Sequence, residues 1–262
     1  MKTAKLVFSS IILLFGAASL NAQKPRLFDS EYGLPNSKVT SVIQDTKGFI
    51  WVASEGGIAR FDGVDFTSFD NHAGESGRYS IGANILYEDS RGTFWIGTPH
   101  GLQIFNQKLN TFDRFDFNDP EATDSDLYIH YILEVPEDNG KSLILVSASQ
   151  HGIYVIDADS HELDSQRRGI LASLPGFEST NKIFLDSKGR LWMASEFGGI
   201  SVVDKKTLKP VDIGWDLERP SMKEDILVNS FIEDSVTGNI CIGTSNNGIL
   251  VFEGSKMRIR QA

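Results

Sequence analysis

Val42-Ile43-Gln44-Asp45-Thr46-Lys47-Gly48-Phe49-Ile50-Trp51, followed after a polar break by Gly57-Ile58-Ala59-Arg60-Phe61-Asp62, is the passage that decides the fold. Two apolar runs of strand length flank Asp-x-x-Gly, a turn in which the carboxylate caps the backbone and the glycine supplies a positive φ. The pattern returns in Leu86 to Asn106, with Asp89, Gly92 and Trp95, and in Ile183 to Asp204, with Asp186, Gly189 and Trp192. Another copy, Phe231 to Phe252, has an extra turn residue and places Cys241 where the others have tryptophan. The copy from Leu133 to Asp157 is the most degenerate.

The second glycine of each copy falls at 57, 101, 152, 199 and 248, and the turn aspartate at 45, 89, 138, 186 and 234. Two markers in step over five copies, spaced by 44 to 51 residues, identify a structural repeat. Each copy reads as consecutive antiparallel strands, the outermost exemplified by Phe66-Thr67-Ser68-Phe69. Four strands in that length make one propeller blade. The expected fold is all-β: a β-propeller of four-stranded antiparallel blades, about five in number and forming an incomplete ring, over residues 23–262, with motifs near 42–62, 86–106, 133–157, 183–204 and 231–252.

Composition agrees. Glycine accounts for 24 of 262 residues, proline for 8 and aromatics for 10%, a turn-rich balance unlike coiled coil, collagen or disorder. The net charge of -10 argues against nucleic acid, which needs clustered Lys and Arg. Residues 1–22 read as a signal peptide: Lys2 and Lys5, the apolar run Ile11 to Phe15, then small residues ending at Ala22. The exported remainder would be periplasmic, make no membrane contact after cleavage, and carry 23 basic against 35 acidic residues. A surface of that sign disfavours anionic ligands.

Asp-x-x-Gly-x-[Phe/Leu]-Trp, followed by Gly-[Ile/Leu]-x-x-[Phe/Val]-[Asp/Asn], resembles the two-component regulator propeller repeat, and Tyr32-Gly33-Leu34-Pro35-Asn36-Ser37 resembles the opening of the sensor half of hybrid two-component systems. The resemblance covers about residues 27–255. It implies a ligand-sensing module at the front of a hybrid histidine kinase, answering to oligosaccharides. Kinase, receiver and DNA-binding parts are not in these residues, and the reading is of a fragment or of a shortened gene product. No catalysis, no cofactor and no metal are expected. An oligosaccharide is the expected partner, with a homodimer through the propeller as an option. The alternatives are a propeller enzyme of lyase or glycosidase type, and a scaffold for protein contacts.

Trp51, Trp95 and Trp192 recur at one repeat position and read as core, whereas Trp215 lies outside the motif and is the stacking candidate. His100 and His151 each precede a second repeat glycine, at the same end of their blades. Arg78 and Tyr79, in a Gly-rich connection, complete the ligand-binding candidates. The histidines show no metal-ligand spacing, and no nucleophile motif stands out.

Overall fold

The computed structural model describes residues 27–69, 82–106, 111–119, 127–217 and 223–261. The leader region 1–22 therefore lies outside the described residues. Nearly everything described is strand and turn. Blade one consists of β1 (Val39–Gln44), β2 (Ile50–Ser54), β3 (Gly57–Phe61) and β4 (Phe66–Phe69), paired in chain order. Blade two repeats it with β5 (Ile85–Glu88), β6 (Phe94–Thr98), β7 (Gly101–Asn106) and β8 (Thr111–Arg114). Blade three has β9 (Ile129–Pro136), β10 (Ser142–Ala148) and β11 (Gly152–Asp157); blade four has β12 (Thr180–Leu185), β13 (Arg190–Ser195) and β14 (Ile200–Asp204).

The propeller expectation holds, while the strand count varies from blade to blade. In blades three and four the fourth position shrinks to single bridges, Ile156 to Leu163 and Val203 to Pro210. After Leu163 the chain leaves the sheet to form a helix, α1 (Ser165–Leu171). Blade five has five strands: β16 (Val228–Glu233), β17 (Ile240–Thr244), β18 (Ile249–Glu253) and β19 (Arg258–Gln261), joined outside by β15 (Gly214–Asp216) in parallel to β19.

The hairpin aspartates explain why the first two strands of each motif meet as they do. Asp89 Oδ1 accepts the backbone N–H of Arg91 and of Thr93, and Oδ2 accepts the Trp95 indole N–H at 2.8 Å. Asp45 does the same for Trp51 at 2.8 Å, and Asp186 for Trp192 at 2.9 Å. One carboxylate thus shapes the turn and satisfies an indole that would otherwise be buried with an unpaired donor.

Each tryptophan stands on the face turned to the following blade. Trp51 packs with Leu86, Phe94 and Ile96 of blade two, Trp95 with Ile132, Ile144 and Val146 of blade three, and Trp192 with Ile240, Ile242 and Phe252 of blade five. Blades three and four meet through Leu145, Ile153, Val155, Ile183 and Met193. The apolar interior is thus a series of gaps between sheets, each filled from both sides as in any close-packed core.

Polar contacts tie the same neighbours. The Thr46 N–H and hydroxyl donate to Glu88 at 2.7 and 2.9 Å, those of Ser90 to Glu134 at 2.7 and 2.6 Å, and those of Ser187 to Glu233 at 2.8 and 2.5 Å. At the other end of the strands Thr40 Oγ1 donates to Ala83 O, Asn84 Nδ2 to Ile129 O and Ser147 Oγ to Thr180 O. Packing runs from each blade to its chain neighbour, and among the described residues the strands of blades one and five share no packing of that extent.

Two substitutions test this construction. A Cβ on Gly97 would lie 2.6 Å from Cγ2 of both Ile85 and Ile129, so Gly97→Ala is expected to destabilise by about 1–3 kcal/mol in urea unfolding. Asp89→Ala leaves the Trp95 indole donor and two turn amides unpaired and is expected to cost at least about 1–3 kcal/mol, with a blue-shifted or quenched Trp95 emission relative to the parent.

Candidate functional site

The departures from four-stranded regularity create the cavities. The N terminus of α1 is capped by Asp164, which accepts the Arg167 N–H at 2.9 Å. The Arg167 guanidinium then bridges Asp164 and Glu137, at 2.9 and 2.6 Å, holding the helix against blade three. Arg168 lies over the Tyr154 ring at 4.4 Å and donates to His151 O at 3.1 Å. Beyond the helix, residues 174–179 form a ridge whose anchor is Phe177, buried against Gly152. A Cβ at 152 would sit 2.2 Å from that ring, and φ there is +70°, so the repeat glycine at this position is required twice over.

On one side of the ridge lies a cleft of about 400 Å³ between blades four and five. Trp215 forms one wall, with Thr180, Ser195, Ser201, Lys223 and Glu224 around it. Trp215, outside the repeat motif, sits in β15, opposite Ile259. It is half-buried: part of the indole packs on the core of blade five and part lines the cleft. The hydroxyls are held from behind, with Ser195 Oγ 2.7 Å from Ser179 Oγ and accepting the Phe197 N–H at 3.1 Å, and Ser201 Oγ donating to Pro175 O at 3.2 Å.

Across the ridge is a second cleft, of about 650 Å³, lined by Ser149, Gln150, Glu178, Ser179, Glu196 and Phe197. Phe197 projects at its rim, 81% exposed. His130 Nε2 lies 2.7 Å from Ser149 Oγ, and burial pulls this imidazole below its ordinary pKa. A third cleft, about 520 Å³, lies by α1, where the Tyr154 hydroxyl donates to Asp119 at 2.7 Å. Burial, then the Asp119 carboxylate, pushes that phenol upward.

The residues singled out in the sequence do not converge. Arg78 and Tyr79 lie outside the described residues. His100 is in the β6–β7 turn, its N–H donating to Thr98 Oγ1 at 3.0 Å, and His151 is in the equivalent β10–β11 turn, on a different blade from the Trp215 cleft. Residues that join Trp215, such as Ser201 of β14 and Lys223 of the connection before β16, carry no sequence signal, because what brings them together is the packing of irregular connections against blade four and not the repeat alone. Among the described residues no group of three or more His, Cys, Asp and Glu could hold a metal ion, and no helix is long and apolar enough to cross a membrane.

Radially following sheets joined by hydrogen-bonded turns and tryptophan-filled gaps define a β-propeller. Residues 33–56 match the family model described as the two component regulator propeller, so the chain carries that repeat. The extracellular domain of the hybrid two-component system BT3049 from B. thetaiotaomicron has the same fold, with TM-score 0.69 and 23% identity over 89% of this chain and 31% of that one. The extracellular domain of BT4673 from the same organism gives 0.66 and 20% over 90% and 31%. Virginiamycin B lyase from Staphylococcus aureus gives 0.59 and 14% over 84% and 68%. The chain spans about a third of the length of the first two. No curated protein sequence matches it.

The lowered His130 pKa sets a sign for acid stability. A folded-state value below the unfolded one means that the unfolded chain binds the proton more readily, so His130 favours the fold above about 6.5 and loses that contribution as pH falls through its depressed value. His130→Gln, which retains a hydrogen-bonding partner for Ser149, is expected to flatten the decline of the thermal midpoint below pH 6.5, as read by circular dichroism.

Proposed function

We propose that the chain is an exported ligand-sensing segment of a propeller sensor, that it binds a neutral oligosaccharide in the Trp215 cleft, and that it performs no chemistry of its own. The observation that carries this reading is the composition of the cleft: a half-buried indole beside three hydroxyls, one ammonium and one carboxylate, in a space of about 400 Å³. A pyranose ring offers an apolar C–H face for the indole and a rim of hydroxyls that both donate and accept. The acidic surface speaks against an anionic saccharide. Export rests on the leader-like start of the sequence, and the sensor role on the repeat matched at residues 33–56.

Signalling would work by population shift. A ligand held by Ser195 and Ser201 of blade four and by Trp215 of blade five favours the relative placement of those blades that it fits best. Passing the preference to an output requires parts beyond these residues.

Isothermal calorimetry of the chain against a panel of neutral and acidic oligosaccharides tests the reading. Binding of a neutral member, weakened about tenfold or more by Trp215→Ala and by Ser201→Ala with little change in thermal midpoint for the latter, is the expected result. Heat from acidic members alone, no heat from any, or turnover of a saccharide would overturn it.

A further inference from the structure

Among the described residues, blade five has one face in the core and one that no other sheet covers, with Cys241 and Val251 half-buried on it. Ile240, Ile242, Leu250, Phe252 and Ile259 pack against Trp192 of blade four. The alternate residues, Ile232, Cys241, Ile249 and Val251, project the other way. Ile232 is 67% exposed and Ile249 56%. This is the face that carries the tryptophan in blades one, two and four and there receives the next blade: Cys241 pairs with Ile232 as Trp51 pairs with Ile43, Trp95 with Tyr87 and Trp192 with Phe184.

The polar clasp is also half-made. Thr46, Ser90 and Ser187, each directly after a turn aspartate, donate twice to a glutamate of the next blade; Glu88 and Glu233 directly precede that blade's own aspartate, while Glu134 stands four residues before Asp138. Ser235 holds the same position in blade five, is exposed, and makes no hydrogen bond among the described residues. At the opposite end of the arc the corresponding face is covered. Phe28 and Leu34 lie over Val52, Ala59 and Phe66 of blade one, and the clasp position there is Gln44, whose amide donates to Gly48 O. Blade one, whether of this molecule or of a second copy, therefore offers neither the carboxylate nor a free face.

We propose that the open face of blade five is a docking surface for a further blade of the same repeat, whose glutamate accepts both Ser235 donors while its apolar face covers Ile232, Cys241, Ile249 and Val251. The proposal does not depend on the ligand assigned to the Trp215 cleft.

The test joins a copy of residues 82–114 to the C terminus of the full chain through a short Gly-Ser linker and follows alkylation of Cys241 by N-ethylmaleimide. Docking is expected to slow the reaction by about tenfold or more. Ser235→Ala, and Ala in place of the glutamate of the appended copy, should each restore much of the reactivity, and together should do little more than either alone. Equal reactivity with and without the appended sheet overturns the proposal, as does failure of that sheet to add strand signal, since a single blade has no other face on which to fold. A dimeric parent with Cys241 already protected would assign the face to a second copy and also overturn it. In the parent, Ile232→Glu should leave the thermal midpoint unchanged; a marked drop would show that the face is already covered within the chain.

Discussion

A carboxylate and an indole facing each other across a hairpin hold this structure in place. Asp89 is 2% exposed and Asp186 4%, positions at which an unpaired charge would be strongly unfavourable. Each is satisfied by two turn amides and one indole N–H. Asp186 takes a further ion pair from Arg190 at 2.5 Å, which places that guanidinium 4.6 Å from the Phe252 ring in the gap to blade five. Without the carboxylate the indole could not enter the gap without losing a hydrogen bond, and without the indole the gap would lose its largest filler. Local turn chemistry and packing between blades are therefore one constraint.

From that constraint follows the direction of the array. The tryptophan face of one blade meets a face of aliphatic residues and phenylalanine on the next, and the serine or threonine beside the aspartate reaches a glutamate on the same neighbour. Where the motif weakens, the joint changes with it. In blade three the turn position is held by Glu137, whose N–H donates to Lys141 O and whose carbonyl accepts from Gly140, so Asp138 and not a hydroxyl follows it; blade four has Leu185 before its aspartate, and no clasp of this kind can form between them. Their rim is instead tied by Lys206 to Asp138 at 2.5 Å and by Lys205 Nζ to Pro136 O at 2.6 Å. These exposed charges are poor substitutes in energy, since surface pairs contribute little, and apolar packing between Leu145 and Ile183 carries that joint.

The fold was legible because its causes are local and repeated. Asp, Gly and Trp recur at fixed offsets, and each has a role that can be inferred from its own chemistry: cap, positive φ, gap filler. The glutamates at 88, 134 and 233 were harder to see, since a residue whose partner lies about 45 positions away has meaning only once the blades are stacked. The shortened outer strands of blades three and four, the helix that follows Leu163 and the parallel strand around Trp215 depend on how irregular connections settle onto a finished sheet. Single-sequence patterns say little about that. Trp215 stands apart from the repeat tryptophans in the sequence, whereas its strand, its partner Ile259 and its neighbours in the cleft have no local signal.

The same division explains where a binding cleft can arise. A blade gap filled from both sides has no room for a ligand, and its residues are committed to packing. Space opens where the repeat is interrupted, at the ridge after α1 and beside the added strand β15. Those walls belong to different units: Ser195 and Ser201 to blade four, Trp215 to the edge of blade five, Lys223 and Glu224 to the connection between them. An occupant that touches all three has a different interaction energy for each relative placement of the two blades, whereas one confined to a single sheet would not. Because blade four is stiffened by Asp186 and Trp192, and the blade-five hairpin by Asp234 accepting from Val236 and Thr237, a change at this junction is more readily taken up by the angle between sheets than by the sheets themselves.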